Sequence, residues 1–337
     1  MFGAQGDHGF TERMTKVLIL GGTAWLGREI AEAFVASGAE VTCLARGESG
    51  AVPIGARLVK ADRTQPRAYT AVSGTVWDEV VELSYDPSFV ADALDALTDK
   101  AAHWTLISTV SVYSSNRDID ADELAAIHTP TDLDDYGQAK VAAEQVSSAA
   151  LSDRLMIARP GLIAGPGDPS DRLGYWVSRL ALAHELPVLS PKPEDRYVQF
   201  IDVRDFASWV VNSSARSLTG VVNVIGDPMP FAEFLEGAKA VAGFTGEVRE
   251  AHDDWLLAHD VTYWSGPRAL PLWLPAEDVA FARRSNARFR QTEGGLRPLA
   301  ETLAATLEDE KRRGLERPRK AGLSRENELS LLTELQG

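Results

Sequence analysis

Apolar positions along the first half of the chain follow two alternating rhythms. Lys16-Val17-Leu18-Ile19-Leu20 and Val41-Thr42-Cys43-Leu44 are short, mostly apolar runs of the kind found in strands buried on both faces of a parallel sheet. Between them, residues 25–37 carry Leu26, Ile30, Phe34 and Val35 on one helical face, and Gly38 follows as a helix stop. Strand, helix and strand together make a right-handed crossover of about thirty residues. The same alternation predicts strands over 57–61, 79–83, 104–107 and 155–158. It also predicts helices over 87–97 and through Tyr136, Lys140, Val141, Ala142 and Val146. Strands alternating with helices specify an α/β fold built on a doubly wound parallel sheet.

After Gly165 the pattern loosens. Gly165-Pro166-Gly167-Asp168-Pro169 is a cluster of chain breakers, which marks the start of a lobe or insertion. Further strands are expected over 198–202 and 221–225, and further helices over 231–242 and 299–313. The organisation that follows is a loose extension over 1–15 and a sheet domain over 16–165, to which 195–225 return. Residues 166–194 and 226–337 make a smaller C-terminal α/β lobe with terminal helices. Trp255, Trp264 and Trp273 lie in a segment rich in Trp, Leu and Pro, which reads as a cap on this lobe or as an aromatic wall of a pocket or dimer contact.

Charge and cysteine content narrow the function. A net charge of −15 disfavours a general binder of nucleic acid or anionic membrane. Lys311, Arg312, Arg313, Arg317, Arg319 and Lys320 form a local basic cluster, but Glu308, Asp309, Glu310 and Glu316 interleave with it, as on a solvated helix face. Cys43 is the only cysteine, so neither an internal disulfide nor a thiolate metal cluster can form; its apolar run reads it as a small buried hydrophobe. No apolar run approaches the roughly 18 residues of a membrane span, and a cytoplasmic location is expected. The histidines show no metal-ligand spacing and there is no G-x-S-x-G elbow, so no metal site and no serine nucleophile are expected.

The chemistry concentrates at two places. Leu20-Gly21-Gly22-Thr23-Ala24-Trp25-Leu26-Gly27 ends a strand and opens a helix, which aims backbone N–H groups and the helix's positive end at a pyrophosphate. Gly21 permits the turn and Gly27 allows close helix–strand packing. Ala24 stands where a glycine gives the nearest approach to phosphate. Dinucleotide sites that prefer NAD carry an acid about 20 residues further on. Here Leu44-Ala45-Arg46-Gly47 offers none, and Arg46 can pair with a 2′-phosphate, so NADP is expected ahead of NAD. Asp62, after the third strand, can accept from an adenine amino group or cap a helix. Downstream, Tyr136 and Lys140 lie four apart on one helical face. A nearby ammonium favours the phenolate of a group whose ordinary pKa is about 10, which suits a general acid or base for a secondary alcohol or ketone.

In this order the motifs resemble the short-chain dehydrogenase/reductase superfamily, in its extended and atypical branch of NAD-dependent epimerases and dehydratases. The resemblance spans residues 16–223. It rests on the glycine turn, Ser108-Thr109-Val110-Ser111-Val112-Tyr113, Tyr136 with Lys140, Arg159-Pro160-Gly161, and Ile201-Asp202-Val203-Arg204-Asp205-Phe206-Ala207. It implies a Rossmann-type NAD(P)-binding domain with Tyr136 as general acid/base, Lys140 holding the nicotinamide ribose, and Thr109 hydrogen-bonding the substrate oxygen. It also implies cofactor contacts from Gly21, Thr23, Ala24, Trp25, Leu26, Gly27, Arg46, Asp62, Leu83 and Arg159, a small-molecule substrate, and a homodimer. Three positions depart from the branch. Ala24 replaces its middle glycine, Val80-Val81-Glu82-Leu83-Ser84-Tyr85 lacks the His-Ala-Ala of sugar-nucleotide members, and Val198 stands where those members have a phosphate-gripping arginine. Val110 and Ser111 after Thr109 place dehydration last among the reactions. A cofactor-retaining redox sensor or RNA-binding protein of the same fold is the alternative.

Overall fold

The computed structural model of the chain describes residues 14–335, so the expected N-terminal extension lies almost wholly outside the described residues. Strand β1 (Lys16–Leu20), helix α1 (Trp25–Ala36) and strand β2 (Glu40–Ala45) form the opening crossover, with β1 and β2 parallel. Val17, Leu18, Ile19 and Leu20 are fully buried, as an apolar run in a strand covered on both faces requires. Cys43 is also fully buried, against Gly22. The chain continues through β3 (Arg57–Lys60), β4 (Trp77–Glu82), α2 (Pro87–Leu97), β5 (Ala101–Ile107), α3 (Tyr136–Leu151) and β6 (Leu155–Pro160). Helix α2 begins where the Asp86 carboxylate accepts from the Ser88 N–H, with Pro87 at the first helical position. Helix α3 begins in the same way, where Asp135 accepts from the Gln138 N–H.

Beyond β6 come β7 (Leu162–Ala164), α4 (Arg172–Ala183), β8 (Val188–Pro191), β9 (Tyr197–Val198), β10 (Phe200–Asp202), α5 (Val203–Ala215) and β11 (Gly220–Val224). Strand β11 pairs with β6, completing a seven-stranded sheet of order β11-β6-β5-β4-β1-β2-β3 with every pair parallel. The single strand expected over 198–202 is broken at Gln199, whose side-chain amide turns inward and donates to the Gly226 and Arg284 carbonyls. Its two halves consequently pair in different places, β10 with β7 and β9 with residues 229–230. Winding reverses between the neighbours β1 and β4, and ligands of doubly wound sheets bind outside the carboxyl ends of strands at such a point.

The remaining helices are α6 (Phe231–Ala242), α7 (Asp253–Ala258), α8 (Ala287–Gln291), α9 (Leu299–Arg313) and α10 (Arg325–Glu334). Helices α4, α6, α7, α9 and α10 enclose a core separate from those of the sheet, around Trp176, Phe231, Phe234, Trp273 and Leu303, while Phe289 of α8 packs into a core of the sheet. Trp176 meets Phe231 edge to face at 5.5 Å. The basic cluster near the C-terminus differs from its expectation. Lys311 and Arg312 do face solvent, paired with Glu308 and Asp309, but Arg313, Arg317 and Arg319 all turn inward onto Glu310, which is 1% exposed. A buried carboxylate must be paired, and the chain folds back after Gly314 to supply the partners.

Candidate active site

The glycine turn sits where the sheet's winding reverses. Gly21 has φ +109°, a conformation that side chains rarely adopt, and its N–H donates to the Leu44 carbonyl. A Cβ on Gly27 would lie 2.4 Å from the Gly21 carbonyl oxygen, so only glycine lets α1 approach the strand end this closely. Ala24 is the N-cap of α1 and offers no side-chain cap, and the first turn contains no acid. The leading N–H groups and the positive end of the helix are thus left for an anion. These features fit the pyrophosphate of a dinucleotide.

Beside the turn, a cavity of about 270 Å³ is lined by Gly21, Thr23, Ala24, Arg46 and Asp62. Arg46 pairs with Glu48 at 3.3 Å, both side chains being well exposed, so the guanidinium is only loosely engaged. Asp62 caps no α-helix. Its Oδ1 accepts from the N–H and hydroxyl of Thr64, which holds its carboxyl below the usual carboxylate pKa.

On the other side of the turn, a cleft of about 540 Å³ brings together Trp25, Leu26, Leu83, Thr109, Tyr136 and Lys140. A Cβ on Gly137 would stand 2.3 Å from the Ser111 carbonyl oxygen; this glycine seats the first turn of α3 against the loop that carries Thr109. Tyr136, the first residue of α3, is half-exposed at the cleft mouth and edge-on to Tyr85 at 5.9 Å. Lys140 is buried, and its ammonium donates to the carbonyls of Ser84 at 2.9 Å and Ile107 at 2.5 Å, with Leu83 at 3.5 Å. Burial lowers its pKa to about 8 against the opposing pull of Glu82 and Glu144. Lys140 is spent on these carbonyls, and the phenol does not take the downward shift expected of it. Desolvation by the cleft walls raises the Tyr136 pKa, and hydrogen bonding with Thr109 offsets only part of that rise. The physical reason for the rise is burial of the phenol, which the spacing argument could not see.

Arg159 corrects another expectation. It is 4% exposed on β6, makes a bidentate pair with Glu144 at 2.6 and 2.9 Å, and donates to the Tyr113 hydroxyl. Ser108 donates to the same carboxylate. The Arg159 side chain is held in this network and does not line the cleft, which Ser108, Pro160 and Gly161 reach instead.

The cleft also holds Asp168, Arg172 and Phe281, to which the sequence reading gave no role. The Trp25 indole N–H donates to the Pro166 carbonyl at 2.8 Å, fastening the glycine turn to the breaker loop. Asp168, 3% exposed, accepts from the N–H and hydroxyl of Ser170, and burial raises its pKa to about 6. The Arg172 guanidinium lies 4.9 Å from the Trp264 ring centre, with Phe281 beyond. The breaker cluster located this loop in the sequence but gave no direction for its side chains. Trp264 thus belongs to the cleft wall while Trp273 belongs to the lobe core. Among the described residues, no group of three or more His, Cys, Asp and Glu is placed to hold a metal, and no helix is long and apolar enough to cross a membrane.

Comparison with known proteins agrees with this geometry. The model of the NAD dependent epimerase/dehydratase family matches residues 17–224. A dTDP-6-deoxy-L-talose 4-dehydrogenase (NAD(P)(+)) from Kitasatospora kifunensis is 28% identical over 233 residues, 62% of this chain and 73% of the relative. A provisionally named epimerase from Burkholderia cenocepacia J2315 superposes with a TM-score of 0.69 at 23% identity, covering 87% of this chain and 97% of that one. The UDP-glucuronic acid 4-epimerase of Bacillus cereus, solved in complex with NAD, gives a TM-score of 0.65 at 14% identity over 89% and 99% of the two chains. These two likenesses show the same fold.

Proposed function

This chain belongs to the NAD dependent epimerase/dehydratase family, and we propose that it is an oxidoreductase acting on a secondary alcohol or ketone of a sugar-like molecule with NADP as the favoured cofactor. The observation that carries the reading is the convergence of Tyr136, Thr109 and Lys140 on one cleft adjoining the glycine turn. The nicotinamide, when bound, supplies or accepts the hydride. Thr109 holds the substrate oxygen and Tyr136 gives or takes its proton. A phenol with a raised pKa is protonated at neutral pH, which suits the general acid of a carbonyl reduction. Lys140 would hold the nicotinamide ribose. The 4-dehydrogenase relative favours oxidation or reduction at a deoxysugar carbon over dehydration, and Val110 and Ser111 after Thr109 point the same way. Arg46 supports NADP, because its exposed pairing with Glu48 can yield to a 2′-phosphate.

Titration of the purified protein with NADPH and with NADH, following nicotinamide fluorescence, tests the cofactor assignment beside an Arg46→Ala variant. NADPH is expected to bind about tenfold or more tightly, and the variant to lose that preference; equal binding of the two would remove Arg46 from the argument. Tyr136→Phe is expected to reduce turnover of carbonyl substrates by about 10²- to 10⁴-fold while cofactor binding persists. Unchanged turnover would overturn the acid/base role. Binding of a cofactor with no carbonyl turned over in the parent would favour a redox-sensing protein of the same fold.

A further inference from the structure

A second cavity, of about 550 Å³, lies outside the catalytic cleft between α4 and the segment running from α9 to α10. Its walls carry Arg179, Arg317, Arg319 and Arg325. Buried beside it are the carboxylates of Asp171, Glu310 and Glu328. Asp171 serves Arg313 and Arg317, Glu310 serves Arg313, Arg317 and Arg319, and Glu328 serves Arg179 and Arg325. Five guanidinium groups thus face these three buried acids, and Arg313 also pairs with Asp309. Glu316, also at the cavity, stands exposed on its rim.

The hydrogen-bond inventory shows the same excess. Arg179 is 5% exposed; its Nη2 donates to the Leu323 carbonyl, while Nη1 has no partner and Nε lies 3.2 Å from Glu328 without hydrogen-bond alignment. Nε of Arg317, Nε of Arg319 and Nη2 of Arg325 are likewise buried and unpartnered. Leaving a buried donor unsatisfied costs about 1–3 kcal/mol, and more when it is charged. Guanidinium forks match the oxygens of a phosphoryl group in spacing and charge.

We infer that this arginine-lined cavity is a binding site for a small phosphate-bearing anion, separate from the catalytic cleft. The site gathers its donors from α4, from the segment after α9 and from α10, so an anion there ties the C-terminal segment to the lobe. Arg172 of the same helix α4 lines the catalytic cleft seven residues before Arg179, about 10 Å along the axis at 1.5 Å per residue. The inference is independent of the reaction carried out in the cleft.

Calorimetric titration of the full-length protein with pyrophosphate, and thermal unfolding in phosphate against chloride at matched ionic strength, test it. Because phosphate can also enter the glycine-turn site, the measurements are repeated with Arg46→Ala and with that turn filled by saturating NADPH. Two further variants probe the cavity itself. Arg325→Gln removes one donor; Leu182→Glu, from an apolar position on the cavity wall, adds a negative charge without breaking any ion pair. Pyrophosphate is expected to bind and stabilise both the parent and Arg46→Ala, and to bind Leu182→Glu and Arg325→Gln at least tenfold more weakly. Equal binding by the parent and Leu182→Glu would overturn the site. So would a response lost only in Arg46→Ala or only under NADPH, which would assign the anion to the cofactor cleft, or no response to phosphate beyond that to chloride.

Discussion

Lys140 is enclosed by protein, and its hydrogen-bond partners among the described residues are backbone carbonyls. Its pKa therefore falls from the unfolded value of 10.5 to about 8. Between these two values the unfolded chain binds more protons than the folded one, so stability rises with pH across that window. A shift of this size corresponds to about 3 kcal/mol at 1.36 kcal/mol per unit. Urea unfolding from pH 8 to pH 10.5 is expected to show this rise in the parent and a flatter profile in Lys140→Met; identical slopes would mean that the ammonium is better solvated than the geometry indicates. The pair of Tyr136 and Lys140 was legible in the sequence because helical spacing alone puts both on one face. The direction of the phenol's shift was not, since it depends on how deeply the cleft walls bury the hydroxyl, which helical spacing does not show. Arg159 misled for a related reason. Its motif locates a strand end, but which face of the strand it occupies is decided by Glu144, on the helix packed against it.

At the level of elements, the reach from α3 to the loop after β5 is set by one absent methyl group. Gly137→Ala places a Cβ 2.3 Å from a backbone oxygen of Ser111, and backbone cannot swing aside as a side chain can. Either α3 or the loop must move, and a displacement near 1 Å at reacting groups costs on the order of 10²-fold in rate. The variant is expected to lose most of its turnover while keeping cofactor affinity, with Gly74→Ala, where nothing lies within 4 Å, as the neutral control. Full turnover in Gly137→Ala would show that the first turn of α3 is not what positions Tyr136. Elements with one apolar face or a side-chain cap were readable in advance, and α2, α6 and α9 lie over the expected residues. Helix α4 was not, because it starts straight out of the breaker cluster at Asp171, whose φ of +62° leaves it without a side-chain cap to mark the beginning. Helix α5 did carry a signal, an Asp202 N-cap ahead of Val203, Phe206, Ala207 and Val210, but the run of strand residues before it masked the change of period.

Over the whole molecule, the sheet supplies the glycine turn, Thr109 and Tyr136, and the C-terminal lobe closes the far wall of the cleft with Arg172, Trp264 and Phe281. The lobe's own integrity rests on α4 and α9, which meet across Glu310. That carboxylate accepts from Arg313, Arg317, Arg319 and the Ser178 hydroxyl while almost fully buried. Replacing it with glutamine keeps the shape and removes the charge, which leaves three guanidinium groups without their shared counter-ion. Removing one partner from a buried ionic cluster costs about 3–5 kcal/mol. Glu310→Gln is therefore expected to lower the urea midpoint of the lobe strongly, read by the fluorescence of Trp176 and Trp273, with the denaturant slope unchanged. The same variant separates this ionic lock from the anion site beside it. With the internal carboxylate neutralised, phosphate should restore more stability to Glu310→Gln than it adds to the parent. If the midpoint does not move, the C-terminal segment is held by packing around Tyr175, Leu323 and Leu332, and its arginines are dispensable to the fold.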